Sequence, residues 1–258
     1  MPLRDEGPVL DAVSTRYPAA ARAFDLVLAL AMLPLALPLG CFVALAVALD
    51  SPGPVLFRSP RVGRDGRMFP MLKFRTMRHL ATGPSISSRN DERYTPVGRL
   101  LAGSRLDELP QLWHVIRGEM RLVGPRPELE EFVLGQADSY RRILSVPPGI
   151  TGPTQLVFAD EGRLLAVAED PEREYVDRLL PRKVQLDLRY ASERAPLSDL
   201  ALLGRTWLVP TRRLSSALPD STPEARRRAG LVLARAALFT LVAVGMVAIF
   251  AVEGAGAL

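Results

Sequence analysis

The chain has 258 residues, 33 Lys and Arg against 28 Asp and Glu, and a formal net charge of +5. Its single cysteine, Cys41 inside an apolar run, excludes a disulfide framework or thiolate cluster. Two histidines, His79 and His114, argue against a histidine-rich metal centre or a serine–histidine–aspartate triad, which leaves a hard cation on oxygen ligands as the metal to expect.

The length fits one moderate domain plus membrane elements, and the basic balance suits phosphate-bearing partners. Residues 1–21 form a short tail. Residues 26–49 carry no charge, and a straight helix of that length reaches roughly 36 Å, enough to cross a bilayer. The run is too long and too late for a cleaved signal peptide. Pro34, Pro38 and Gly40 near its middle predict a kink, because each proline removes a backbone hydrogen bond and crowds the preceding turn. Arg16 and Arg22 precede the run, and Arg58, Arg61, Arg64 and Arg67 follow it. A spanning helix carries its basic excess on one side. Arginines at both ends leave two readings open, a kinked span and a re-entrant helix over 22–49 that enters and leaves through one leaflet.

Residues 50–210 read as a compact, mixed, mostly helical domain. Asp50-Ser-Pro-Gly-Pro54 stops the apolar helix. Residues 55–57 and 68–74 are predicted strands joined by a turn over 63–66, a hairpin signal. Residues 79–93 are a polar loop. Residues 97–102 and 106–116 have helical periodicity, with Leu109, Leu112, Trp113 and Ile116 on one face. Further helices are expected over 127–144, 171–192 and 198–209, with a loop over 147–153. The last helix, apolar with Trp207, suits either the membrane interface or a packed core.

Residues 211–228 read as a basic linker and 229–252 as a transmembrane helix, broken only by Arg235, which can snorkel to the headgroups. The arginines at 226–228 and the nearly uncharged tail at 253–258 put the middle of the protein in the cytoplasm and the C-terminus outside.

The residues that carry chemistry are the adjacent acids Asp107 and Glu108. An Asp-Glu pair alone is ordinarily solvated surface. Here it stands among arginines, with Gly124-Pro-Arg-Pro-Glu128 downstream and long apolar segments elsewhere. That company points to chemistry on a phosphate at a membrane surface. Lys73 and Arg75 alternate on a predicted strand and so share one face.

Six strings, in order, resemble the bacterial sugar transferases, specifically the small monotopic phosphoglycosyl transferases. They are Arg22-Ala-Phe-Asp25, Lys73-Phe-Arg-Thr-Met77, Leu106-Asp-Glu-Leu-Pro-Gln-Leu112, Arg117-Gly-Glu-Met120, Leu122-Val-Gly-Pro-Arg-Pro127 and Pro148-Gly-Ile-Thr-Gly152. The resemblance covers about residues 22–210. It implies an α+β membrane protein, with a re-entrant helix joined to a small cytoplasmic catalytic domain and interfacial amphipathic helices, on the cytoplasmic face of a bacterial inner membrane. It favours the hairpin, with Pro38 at the break and Leu37 where relatives have serine.

The implied reaction moves a sugar-1-phosphate from a UDP-sugar to polyprenyl (undecaprenyl) phosphate and releases UMP, initiating surface glycan or exopolysaccharide assembly. Asp107 would be the nucleophile, forming an aspartyl–phosphosugar in a ping-pong sequence. Glu108, with Asp107, would hold Mg²⁺. Neighbouring arginines are expected to keep Asp107 ionised. Lys73, Arg75, Thr76 and Arg126 are expected at the phosphates or nucleotide. Glu128 is either a second carboxylate near the nucleotide or a helix N-terminal acid.

Two positions depart from the family pattern. Ala102 stands where an arginine is common, and Arg105, ahead of Arg99, is the expected substitute. Gly152-Pro-Thr-Gln-Leu156 lacks the Trp and Ala that many relatives have after the glycine. The implied partners are the UDP-sugar, the polyprenyl phosphate and the bilayer, with a homodimer open. Nucleic acid is not expected, because stacking aromatics are few. Two rival classes stay in view: a membrane-anchored metal-dependent phosphohydrolase, and a non-enzymatic protein binding anionic lipid or nucleotide.

Overall fold

A computed structural model of the chain describes residues 7–11, 17–88, 90–195 and 198–206. Helix α1 (Ala19–Asp50) contains both Pro34 and Pro38 and is continuous through them. It is the one helix among the described residues long and apolar enough to cross a membrane. Asp25 and Ala29 are buried near its start and Val43, Ala46 and Val47 near its end, with no buried residue between.

Strands β1 (Leu56–Val62) and β2 (Met68–Phe74) form the expected antiparallel hairpin, in register from Leu56–Phe74 to Val62–Met68. Pro60 pairs with Pro70, which a two-stranded sheet tolerates because each strand has a free edge. Helix α2 (Pro96–Ser104) opens at Thr95, whose hydroxyl accepts from the Gly98 amide at 3.0 Å. A side chain at Gly98 would collide with the Thr76 carbonyl, so this glycine lets α2 dock on the chain leaving β2.

The predicted helix over 106–116 is split. Arg105 adopts a left-handed conformation (φ 61°) that ends α2, a 3-10 segment over Leu106–Gln111 carries Pro110, and only then does α3 (Leu112–Arg117) begin. Trp113 is exposed, away from the buried Leu112. The helix expected over 127–144 is two, α4 (Glu130–Gly135) and α5 (Ala137–Ile143), parted at Gln136.

The sequence reading also missed a pair of short parallel strands, β3 (Arg121–Val123) and β4 (Gly149–Thr151). The second lies inside the segment read as a loop. At three residues each they are too short to show periodicity, and a side chain at Gly149 would strike Gly124. After them come α6 (Pro153–Val157), α7 (Glu161–Ala166), α8 (Pro171–Glu174), a π turn over Tyr175–Leu179, α9 (Leu180–Glu193) and helical residues 198–206.

Three apolar clusters hold these elements. One joins Val62 to Phe132, Ile143, Leu180 and Val184. A second joins Ala29 to Met71, Val115, Met120 and Val123. The third joins Val43, Ala46 and Val47 to Phe74, Val97 and Leu101. Fully burying a side chain such as Met71 or Leu101 contributes roughly 1.5–3 kcal/mol. Both ends of α1 therefore belong to the core of the domain.

Polar contacts fix the same two ends. Arg22 donates to the carbonyls of Val115 and Ile116 at the end of α3, where the helix carries partial negative charge. Arg121 reaches Asp25 of α1 at 3.0 Å and Asp199 at 2.9 Å, and Tyr190 donates to the second oxygen of Asp199. At the other end Arg75 donates to the Ser51 carbonyl (2.6 Å) and hydroxyl (2.9 Å). The linker 211–228, the apolar run 229–252, the tail 253–258 and Trp207 lie outside the described residues.

Candidate active site

A cleft of about 310 Å³ opens between two walls drawn from different parts of the chain. Lys73 on β2, Arg99 within α2, Arg105 at its end, Asp107 and Glu108 on the 3-10 segment, and Arg126 after β3 form the first wall. The kink at Arg105 makes this possible. A left-handed non-glycine residue costs on the order of 1 kcal/mol, and here it turns the chain so that both acids fold inward. Asp107 and Glu108 are 7% and 8% exposed, a placement a solvated helix face would not give them.

The two neighbours have opposite surroundings. Glu108 Oε1 accepts from Arg105 at 2.8 Å and from Arg126 at 2.7 Å, while its Oε2 lies 3.5 Å from Arg126. Asp107 Oδ1 is buried with no hydrogen-bond partner. Burial, and next the charge of Glu108, push Asp107 up to about 6, against the pull of Lys73 and Arg105. Burial also works to raise Glu108, but the charges and hydrogen bonds of Arg126 and Arg105 outweigh it and hold it near 2. The arginines expected to keep Asp107 ionised pull it only partway back, because their hydrogen bonds go to Glu108. Burial lowers Lys73, and the Asp107 charge opposes that shift.

Of the residues singled out in the sequence, the cleft brings together Lys73, Arg105, Asp107, Glu108 and Arg126. Three others lie elsewhere. Arg75 does not share a wall with Lys73: the strand ends at Phe74, and its guanidinium caps the C-terminal turn of α1. Thr76 is buried beside the start of α2, where its carbonyl accepts from the Thr95 amide. Glu128 sits behind the cleft, accepting from Tyr175 at 3.0 Å and pairing with Arg61 at 3.6 Å. His114 is structural, its Nε2 accepting from the Leu72 amide and its Nδ1 lying 2.6 Å from Glu119.

The second wall consists of Thr154, Gln155, Phe158, Glu161 and Lys183, among others. The departure at 152–156 marked part of it. Lys183 and Glu161 carried no local signal, since a charged residue on an amphipathic helix reads as solvated surface. Lys183 and Asp187, one turn apart on α9, are in fact 7% and 3% exposed.

Among the described residues no three His, Cys, Asp or Glu side chains gather into a metal cage. Mg²⁺ ordinarily takes one or two carboxylates and completes its shell with water and substrate phosphates. Asp107 Oδ1 and Glu108 Oε2, the least engaged oxygens of the pair, fit that smaller requirement.

A long apolar helix locked at both ends to a small α+β domain, with a cleft pairing one unpartnered carboxylate with several cations, describes a membrane-associated protein suited to phosphate chemistry. Residues 16–213 match the model of the bacterial sugar transferases, and the chain belongs to that family. It is 42% identical over 140 residues to the UDP-glucose:undecaprenyl-phosphate glucose-1-phosphate transferase of Caulobacter vibrioides, covering 52% of each chain. Over 212 residues it is 41% identical to the UDP-galactose-lipid carrier transferase of Erwinia amylovora, covering 74% of this chain and 40% of the relative. Over 161 residues it is 40% identical to a UDP-N-acetylgalactosamine-undecaprenyl-phosphate N-acetylgalactosaminephosphotransferase of Aeromonas hydrophila, covering 57% of this chain and 37% of the relative. The chain spans about half the length of these curated relatives, or less.

Proposed function

We propose that the protein transfers a sugar-1-phosphate from a UDP-sugar to undecaprenyl phosphate, through an intermediate on Asp107. One observation carries this reading: Asp107 Oδ1 is buried, unpartnered and set in a cleft with Lys73, Arg105 and Arg126, while its neighbour Glu108 is held by two guanidiniums. A carboxylate without hydrogen bonds keeps its lone pairs available, and partial desolvation raises its basicity.

In the first step an Asp107 oxygen attacks the β-phosphorus of the donor. The bond from that phosphorus to the bridging oxygen breaks, and UMP leaves with the oxygen. Lys73, Arg105 and Arg126 hold the diphosphate and offset charge that builds on the leaving phosphate. In the second step an oxygen of the lipid phosphate attacks the same phosphorus. The bond to Asp107 breaks, the carboxylate is restored, and the product is a lipid diphosphate sugar. Glu108 keeps Arg105 and Arg126 aimed at the phosphates throughout. Asp107 and Glu108 would hold Mg²⁺, which supplies neutralisation of phosphate charge when bound.

The reading extends to α1. Its two ends pack against one domain, and the stretch between Ala29 and Val43, with both prolines, holds no fully buried residue, only the half-buried Met32, Ala36, Leu39 and Phe42 resting against the core. A helix that dips into one leaflet and returns fits this pairing, with the cleft facing the cytoplasm and the lipid phosphate arriving at the membrane surface.

The direct test incubates the detergent-solubilised protein with a panel of UDP-sugars, undecaprenyl phosphate and Mg²⁺. Repeated UMP release that requires the lipid, with a lipid-linked product, and that stops on chelation with EDTA, is the expected result, and without lipid release ends at about one UMP per protein. Sugar phosphate released without lipid would instead mark a hydrolase, and absence of turnover a binding protein.

A further inference from the structure

The second wall of the cleft differs from the first in charge. Lys183 Nζ lies 2.9 Å from Glu161 Oε2, so its ions cancel, whereas the first wall carries an excess of cations. Lys183 is braced from behind by Tyr175, whose hydroxyl accepts from it at 3.1 Å and donates to Glu128.

Gln155 is braced too. Thr154 Oγ1 lies 2.9 Å from Gln155 Oε1 and 3.3 Å from Asp187 Oδ1. A hydroxyl has one proton to give. Burial, then the Glu128 charge, push the Asp187 carboxyl up to about 8, which weakens its claim on that proton. Thr154 gives it to Gln155 Oε1, the nearer of the two oxygens it faces. The amide is oriented by its oxygen, and its Nε2 is left buried with no partner.

We infer that Gln155, Glu161 and Lys183 receive the sugar ring of the donor and set which sugar is accepted. The inference rests on the sugar-phosphate transfer proposed above. An amide donor, an ammonium and a carboxylate with cancelling charge match the vicinal hydroxyls of a neutral sugar. A nucleobase calls for a flat face, which Tyr94 offers among the cleft residues. Phe158, the aromatic of the second wall, is packed against the core.

The test compares wild type, Gln155→Met and Glu161→Gln on UDP-glucose and UDP-galactose, which differ only at one hydroxyl, with inhibition by UMP measured alongside. The expected result is a change of about tenfold or more in the ratio of kcat/KM between the two donors. Inhibition by UMP stays within about twofold. Equal losses on both donors together with weakened UMP binding would give this wall to the nucleotide and overturn the inference. So would an unchanged ratio in both variants. If Gln155→Met fails to fold, as read by circular dichroism, Glu161→Gln carries the comparison from a less buried position. A wild type that transfers no sugar phosphate at all would remove the functional reading, and this inference with it. A wild type that transfers while its variants keep the ratio would remove the inference alone.

Discussion

Glu108 Oε1 accepts hydrogen bonds from both Arg105 and Arg126, whereas Oδ1 of the adjoining Asp107 accepts none. Two acids one peptide bond apart are thereby given different tasks. Glu108 is fixed as an anion that positions cations, and Asp107 is left with free lone pairs.

The pH dependence of the reaction follows from that difference. With Asp107 raised to about 6, the unliganded site loses its ionised nucleophile as pH falls through that value. At limiting Mg²⁺ the expected kcat/KM for the UDP-sugar is level near pH 7 to 8 and falls about tenfold per unit well below pH 6, and added Mg²⁺ moves the fall to lower pH by favouring the carboxylate. A profile that stays level down to pH 4.5 would mean that Asp107 is not the titrating group.

Stability should respond to the two acids with opposite signs. Asp107 has a folded pKa above its unfolded value of about 3.9. The folded state therefore binds the proton more tightly, and stability declines as pH rises from about 4 to 6 and stays reduced above. Asp107→Asn is expected to stabilise the fold at pH 7 by about 2 kcal/mol while abolishing transfer. Glu108 is depressed to about 2, so its contribution is present above pH 4.5 and lost as pH falls towards 2. Glu108→Gln is expected to destabilise by about 3 kcal/mol at pH 7, because two guanidiniums lose their partner. Thermal unfolding of the two variants at pH 7 checks both signs at once.

Arg105 should matter more than Arg99. Both line the cleft, but Arg105 is the one that bonds Glu108. Arg105→Ala is expected to lower kcat/KM by about a hundredfold, and Arg99→Ala by less than about tenfold. Initial rates of UMP release decide it, and the reverse order would give Arg99 the role of the arginine replaced by Ala102.

Arg75 should behave as a structural residue. Its contacts are with Ser51 and Val47 at the end of α1, and a charged cap of that kind contributes about 1–2 kcal/mol. Arg75→Ala is expected to lower the unfolding temperature by several degrees with KM for the donor unchanged. A raised KM with unchanged stability would return Arg75 to the phosphates.

The hairpin and much of the first wall were legible in the sequence because their signals are local. A Gly-rich turn between two short apolar runs announces β1 and β2, and acids among arginines announce Asp107 and Glu108. What stayed hidden depends on distant contacts. Strand β3 is recognisable only beside β4, twenty-eight residues away in register. Arg75 shares the alternation of Lys73, yet the carbonyls it caps belong to a helix that ends at Asp50. Lys183 and Asp187 look like a solvated pair until α6 and the Tyr175 turn cover them. The raised pKa of Asp107 was missed for the same reason: local sequence listed its arginines but not that Glu108 engages them.

Mass spectrometry of the protein incubated with UDP-sugar, Mg²⁺ and no lipid acceptor reads the covalent intermediate on Asp107 itself. The expected result is a sugar-phosphate adduct on the peptide carrying Asp107, discharged when undecaprenyl phosphate is added and missing from Asp107→Asn. An adduct on another residue, or sugar-phosphate transfer that survives in Asp107→Asn, would contradict it.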